Sequence, residues 1–221
     1  MIKALIFDLD GTVIDNEGQW EEAFRKVLTG NSKKKIGDEE WIHEPGIGLE
    51  ANWNTFKKRY EINEETEKLC AQTAEEYKKI GGDLVIQDGV VELIEMAGEE
   101  LWLTALATSS DWHRAEDILE KLSLQLAFGI TTTGEEVVNS KPDPEIYLLT
   151  VQKLAVEANE CVVIEDTAAG VKAASRAGCV VVGLTSEYAS GDSLKNAGAK
   201  YVVDNLREVV VLLASYAEKD K

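Results

Sequence analysis

Four short runs in the chain hold residue types that do chemistry together. Asp8-Leu9-Asp10-Gly11-Thr12 follows a short apolar run at residues 3–7. Two carboxylates at i and i+2 on an extended segment can reach into the same space. They repel unless a cation lies between them or one is protonated. Mg²⁺, a hard ion that takes oxygen ligands and keeps several waters, meets that need. Gly11 lets the backbone turn sharply; Asp-Gly is also common in plain turns, but a plain turn does not call for two acids at the end of a buried strand. Thr108-Ser109-Ser110 ends a second apolar run and leads into a helix, where hydroxyls and free N–H groups suit a phosphate oxygen. The same residues would serve equally as a helix N-cap. Lys141 sits in Ser140-Lys141-Pro142-Asp143-Pro144, whose prolines restrict the loop and fix where the ammonium points; taken alone it reads as a solvated lysine ahead of a helix. Glu165-Asp166 closes a third apolar run and precedes Thr167-Ala168-Ala169-Gly170. An acid pair there is costly unless it binds something, so Asp166 could complete a metal site begun by Asp8 and Asp10, with helix capping as the alternative.

These runs need elements to bring them together. Apolar stretches at residues 3–7, 101–107, 161–165, 180–184 and 201–203 have the length and continuous hydrophobicity of parallel strands buried on both faces. Segments of helical period lie between them at residues 111–122, 144–154, 168–177 and 206–217. Alternating strands and helices predict an α/β fold: a doubly wound parallel sheet, Rossmann-like, covered on both faces. Ligands of such sheets sit beyond the carboxyl ends of the strands, where all four runs fall. From about residue 16 to residue 82 the alternation stops. Residues 17–28, 50–60 and 64–80 read as amphipathic helices joined through Lys33-Lys34-Lys35 and Pro45-Gly46. The expected organisation is a core of residues 1–15 and 83–221 with a helical insert at 16–82.

The chain has 221 residues, 44% of them hydrophobic and 29% charged, as ordinary globular proteins do. Lys and Arg total 23 against 41 Asp and Glu, a net charge of −18. So acidic a surface repels nucleic acid and anionic lipid, which argues against either as a partner. It leaves room for a small anionic substrate received by a local cation. No apolar run approaches the roughly 18 residues of a membrane span, and acids at positions 8 and 10 interrupt any secretory leader. Cys70, Cys161 and Cys179 show no CxxC spacing and read as reduced, mostly buried thiols of a cytoplasmic protein. A monomer or a homodimer is expected.

The four runs, in their order, resemble the haloacid dehalogenase (HAD) superfamily, and within it the β-phosphoglucomutase-like phosphatase group. The resemblance rests on DLDGT, the Thr/Ser strand end, SKPDPEIY and IEDTAAG, and it extends to the helical insert, which is similar to that family's cap. It implies that Asp8 is the nucleophile forming an aspartyl-phosphate. Asp10 would be the general acid/base and would also offer Mg²⁺ its backbone carbonyl. Thr108 and Ser109 would bind the phosphoryl group, Lys141 would stabilise charge, Asp166 would bind Mg²⁺, and Glu165 would support the ion through water. The implied activity is Mg²⁺-dependent hydrolysis of a small phosphorylated metabolite such as a sugar or polyol phosphate.

Two departures bear on that activity. Trp20 stands where the mutase pattern has a cap histidine, and Leu49, in Pro45-Gly46-Ile47-Gly48-Leu49-Glu50, where it has an arginine that would grip a second phosphate. Their absence favours a hydrolase over the alternative, a sugar-phosphate mutase; a non-catalytic phosphate-binding module is the third reading. Trp20, Gly48, Leu49 and Trp53 are cap candidates for the substrate pocket, with helix packing as the alternative for the two tryptophans. Lys57-Lys58-Arg59 reads as a solvated helix face, and His43 and His113 as surface or packing residues.

Overall fold

The structure is a computed structural model that describes residues 1–34, 36–37, 43–82 and 84–217. In chain order the elements are β1 (Ala4–Phe7), α1 (Glu17–Asn31), α2 (Leu49–Tyr60), α3 (Thr66–Ile80), α4 (Val90–Glu99), β2 (Leu103–Ala107), α5 (Trp112–Lys121), β3 (Ile130–Thr132), α6 (Glu145–Leu154), β4 (Cys161–Glu165), α7 (Ala168–Arg176), β5 (Val180–Leu184), α8 (Gly191–Ala197), β6 (Tyr201–Val203) and α9 (Leu206–Ala217). All six strands are parallel, in the order β3-β2-β1-β4-β5-β6. This is the doubly wound α/β arrangement, and its strand order reverses between β1 and β4.

Alternation along β1 divides the core. Leu5 and Phe7 pack with Val90, Leu93, Ile118, Leu206 and Val209 on one face. Ala4 and Ile6 pack with Ile146, Tyr147, Val171, Ala174 and Leu194 on the other. A sheet covered on both faces has no solvated side, which is why its strands read as unbroken apolar runs. A third cluster joins Phe24, Val27, Leu28, Trp53, Phe56, Tyr60 and Leu69 of α1, α2 and α3 with Ile62 of the connection between α2 and α3. The expected return to the core at residue 83, and Lys35 of the lysine run, lie outside the described residues.

Register delivers the chemistry to one edge. Phe7 pairs with Leu106 on one side and Ile164 on the other. Asp8 therefore lies level with Ala107 and Glu165, and Thr108 and Asp166 follow one residue beyond. Three elements differ from expectation. β3 is a three-residue edge strand of Ile130, Thr131 and Thr132, too short and too polar to announce itself. α4, opened by Gly89 at a positive φ of 102°, is not among the helices expected from the sequence, and Val90, Leu93 and Ala97 form its buried stripe. α8 has only seven residues, capped by Ser190, whose hydroxyl accepts from Ser193 N–H. The expected strand start at residue 101 is also corrected. Leu101 is a solvent-exposed turn residue with φ 57°, and β2 begins at Leu103.

Candidate active site

Two charged clusters stand side by side at the switch point. The first is fully buried. Lys141 Nζ lies 2.5 Å from Asp8 Oδ1 and 2.5 Å from Glu165 Oε1. Tyr147 donates its hydroxyl to Glu165 Oε1 at 2.7 Å. Thr167 donates its N–H and its hydroxyl to Glu165 Oε2, at 3.2 and 2.9 Å. That hydroxyl also accepts from Gly170 N–H and so starts α7. Asp166, equally buried, accepts from Thr12 Oγ1 at 3.3 Å.

The charge in this cluster does not balance. Asp8, Glu165 and Asp166 are three carboxylates against the single ammonium of Lys141. Burial pushes the Asp8 carboxyl well above its usual value; Lys141 opposes the shift and Glu165 adds to it. Burial, then Glu165 and Asp8, do the same to Asp166. Two uncompensated negative charges in a buried pocket are the donor chemistry of a divalent cation. Among the described residues no three His, Cys, Asp or Glu side chains form a ready-made cage. Gly11 permits the close approach of Asp166: at φ 80°, a Cβ there would lie 2.0 Å from Asp166 Oδ2.

Glu165 accepts from Lys141 and Tyr147 at one oxygen and from Thr167 at the other, so it anchors Lys141 beside Asp8.

The second cluster surrounds Asp10 and reaches into the inserted helices. Arg114 of α5 grips both carboxylate oxygens: Nη1 donates to Oδ2 at 2.7 Å, and Nη2 donates to Oδ1. Asn16 Nδ2 donates to Oδ1 at 2.5 Å, Trp20 Nε1 to Oδ1 at 3.3 Å, and Ser110 Oγ to Oδ2 at 3.0 Å. Burial works against ionising Asp10, but the Arg114 guanidinium, with the bonds from Asn16 and Trp20, outweighs it and holds the carboxyl below its usual value. Arg114 in turn lies over the rings of Trp20 and Tyr77, 4.8 and 5.2 Å from their centroids. Those two rings stack at 4.0 Å.

Arg114, Asn16 and Tyr77 went unnoticed in the sequence. One signal was available for Arg114: it stands in the first turn of α5, where the helix dipole disfavours a cation. Its backbone N–H donates to the Asp111 cap at 2.9 Å.

A cavity of 530 Å³ opens over both clusters. Asp8, Asp10, Thr108, Ser109, Ser110, Arg114 and Lys141 line it from the core side. Trp20, Gly48 and Leu49 line it from the inserted helices and their loop. Trp53 does not: it is wholly buried in the helical cluster, its Nε1 donating to Thr73 Oγ1 at 2.9 Å. The loop is docked on the core, with Ser109 Oγ donating to Gly46 O at 2.7 Å, while Thr108 Oγ1 accepts from Ser110 N–H at 3.1 Å.

Of the two roles expected for His43, surface or packing, the structure shows packing. It is 2% exposed, stacks on Phe24 at 5.3 Å, and lies 3.0 Å from Glu17 Oε2 through Nε2. Both Glu17 and His43 line the cavity. His113 is exposed, as expected. Of the three thiols, Cys161 is buried and Cys70 and Cys179 are half-buried; all three are free.

Residues 5–184 match the family model described as haloacid dehalogenase-like hydrolase. A phosphorylated carbohydrates phosphatase from Thermotoga maritima is 33% identical over 206 residues, covering 91% of this chain and 94% of that protein. A validoxylamine A 7'-phosphate phosphatase from Streptomyces hygroscopicus subsp. limoneus is 29% identical over 213 residues, covering 95% and 96%. The crystal structure of a hydrolase from Pseudomonas syringae superposes with a TM-score of 0.85 at 27% identity, covering 96% of this chain and 98% of that one. Among the described residues no helix is long and apolar enough to cross a membrane.

Proposed function

The chain belongs to the haloacid dehalogenase-like hydrolase family, and from that premise we propose that it is an Mg²⁺-dependent phosphatase of small phosphorylated sugars or polyols, working through an aspartyl-phosphate on Asp8. One observation carries the reading: the buried excess of carboxylate over ammonium at the carboxyl ends of β1 and β4, open to a cavity of 530 Å³. The likeness to a phosphorylated carbohydrates phosphatase supports the substrate class.

Asp8 and Asp166 would hold the metal, with the backbone carbonyl of Asp10. When bound, the ion neutralises negative charge on the transferring phosphoryl group. The remaining work falls to the chain. Lys141 binds Asp8 Oδ1, and its tether to Glu165 fixes the nucleophile's orientation without a mobile counter-ion. Thr108 and Ser109 line the place where the phosphoryl oxygens would rest. Asp8 attacks phosphorus, the P–O bond to the alcohol breaks, and Asp10 gives its proton to the departing oxygen. A water then attacks the same phosphorus, returns a proton to Asp10, and frees Asp8 and inorganic phosphate. In the conformation described, Arg114 keeps Asp10 as a carboxylate, so Asp10 must leave that grip to act as an acid.

Phosphate release from an aryl phosphate, with and without Mg²⁺, tests the reading in the wild type and in Asp8→Asn. Mg²⁺-dependent turnover lost in the variant is the expected result. Turnover surviving Asp8→Asn would overturn the nucleophile assignment. No release from the aryl ester or from a panel of sugar and polyol phosphates would overturn the function.

A further inference from the structure

The cavity wall opposite Asp8 has a character of its own. Among the described residues, the inserted helices and their loop place Glu17, Glu44 and Glu50 on it and no Lys or Arg. The two cations on the core side, Lys141 and Arg114, are already paired, with Asp8 and Glu165 and with Asp10. A substrate tail bearing a second phosphate or a carboxylate would therefore meet like charge and find no free partner.

Polar hydrogen-bonding groups on that wall are few. Asn52 is committed to the backbone of Glu44 and Gly48. His43 is different. Its Nε2 meets Glu17 at 3.0 Å, while Nδ1 is buried with no partner among the described residues. A buried polar atom left alone is costly and is normally satisfied by something. With Glu17 accepting from Nε2–H, Nδ1 presents a lone pair. A hydroxyl donates to a lone pair; a carboxylate or a phosphate dianion has no hydrogen to give.

We infer that Glu17 and His43 read a hydroxyl on the neutral tail of the substrate, so that the enzyme takes monophosphates of polyols or sugars and turns away esters carrying a second anion. This rests on the phosphatase reading above and narrows its substrate class. The two residues are specificity-determining and touch no reacting atom.

His43→Gln separates recognition from scaffolding. A glutamine amide can still donate to Glu17 from the position of Nε2, but it removes Nδ1. Glu17→Gln keeps the size of the side chain and removes its charge. Four esters are compared: a hexitol 6-phosphate, a hexose 1,6-bisphosphate, 2-phosphoglycolate and an aryl phosphate that offers no hydroxyl. The wild type is expected to favour the hexitol ester over both doubly anionic esters by about 100-fold or more in kcat/KM. In either variant the ratio of hexitol to aryl kcat/KM is expected to fall about tenfold, through KM rather than kcat. An equal fall for both esters would show the pair to be scaffolding and overturn the inference. So would wild-type preference for 2-phosphoglycolate or the bisphosphate, with the phosphatase reading left standing. No phosphate from any ester, the aryl one included, would overturn both.

Discussion

The two clusters at the switch point contain the same residue types and are solved in opposite ways. Around Lys141, three buried carboxylates share one ammonium, and burial drives Asp8 and Asp166 toward their protonated forms. Around Arg114, one carboxylate meets one guanidinium bidentately, with help from Asn16, Trp20 and Ser110, and is held ionised. The first cluster is incomplete without another positive charge. The second is complete as it stands and must be opened to work. An unbalanced site suits a group that binds a metal and attacks; a balanced one suits a latch that joins core helix α5 to Trp20 and Tyr77 of the inserted helices. Charge balance, not residue type, separates the two roles.

The largest effect expected to break this contrast is kinetic. Asp8→Asn removes the attacking oxygen while leaving a side chain of the same shape. Turnover of any ester should fall by more than about a thousandfold, about 4 kcal/mol of transition-state stabilisation, measured by phosphate release at saturating Mg²⁺. Residual turnover within tenfold of the wild type would mean that the unbalanced cluster is not the reacting one.

Next comes Lys141→Met. It keeps the length of the side chain and strips the only ammonium from three carboxylates, so the loss in folding stability should be about 3–5 kcal/mol at pH 7 without metal, read by urea unfolding. The sign of its pH dependence follows from the carboxyls. The folded values of Asp8 and Asp166 are raised above the unfolded ones, so stability is lost as pH rises from the unfolded value through the folded one. Without Lys141 they rise further, and the deficit of the variant should shrink from pH 7 to pH 5. A deficit that grew on acidification would show that the carboxylates are not short of positive charge.

Metal is the third lever. A cation held at about 100 times its dissociation constant stabilises by about 2.7 kcal/mol. For a chain of this size that raises Tm by roughly 5–10 °C. The gain should be smaller at pH 5 than at pH 7, because protons compete for the same oxygens. It should vanish in Asp166→Asn and persist in Arg114→Met. Scanning calorimetry with and without Mg²⁺ reads all four cases, and an increment retained in Asp166→Asn would remove that residue from the metal site.

How far these clusters were legible follows the same division. Asp8, Asp166 and Lys141 could be read because each sits at the end of a continuous apolar run or in a proline-fixed loop, and a parallel sheet carries strand ends to one edge. The register of Phe7 with Ile164 is enough to bring Asp8 level with Glu165. Glu165 could be placed at its strand end, but sequence does not show that Tyr147 and Thr167 bond its oxygens. Arg114 was missed because its partner is 104 residues away, and nothing in a helical stretch reports which long-range carboxylate its basic residue meets. Trp20 and Trp53 look alike in an amphipathic pattern; only packing puts one on the cavity and the other in the helical core. In β3, Thr131 and Thr132 replace the apolar run that marks the inner strands.

The smallest effect sharpens the contrast most, because it asks for opposite signs. In the metal-free protein, Asp166→Asn removes one of the buried like charges and weakens a long bond from Thr12. It should raise stability by about 1 kcal/mol, or Tm by a few degrees. Asp10→Asn instead leaves the buried Arg114 guanidinium without its counter-ion and should lower stability by about 2 kcal/mol. The pH dependence should differ too. Asp10 lies below its unfolded value, so its contribution is present above that value and lost as pH falls through the folded one. The penalty of Asp10→Asn is therefore full at pH 7 and fades in strong acid. Two isosteric Asp-to-Asn changes in neighbouring clusters, moving Tm in opposite directions under the same buffer, would isolate charge balance as the cause; movement in the same direction would mean that hydrogen bonding alone sets both.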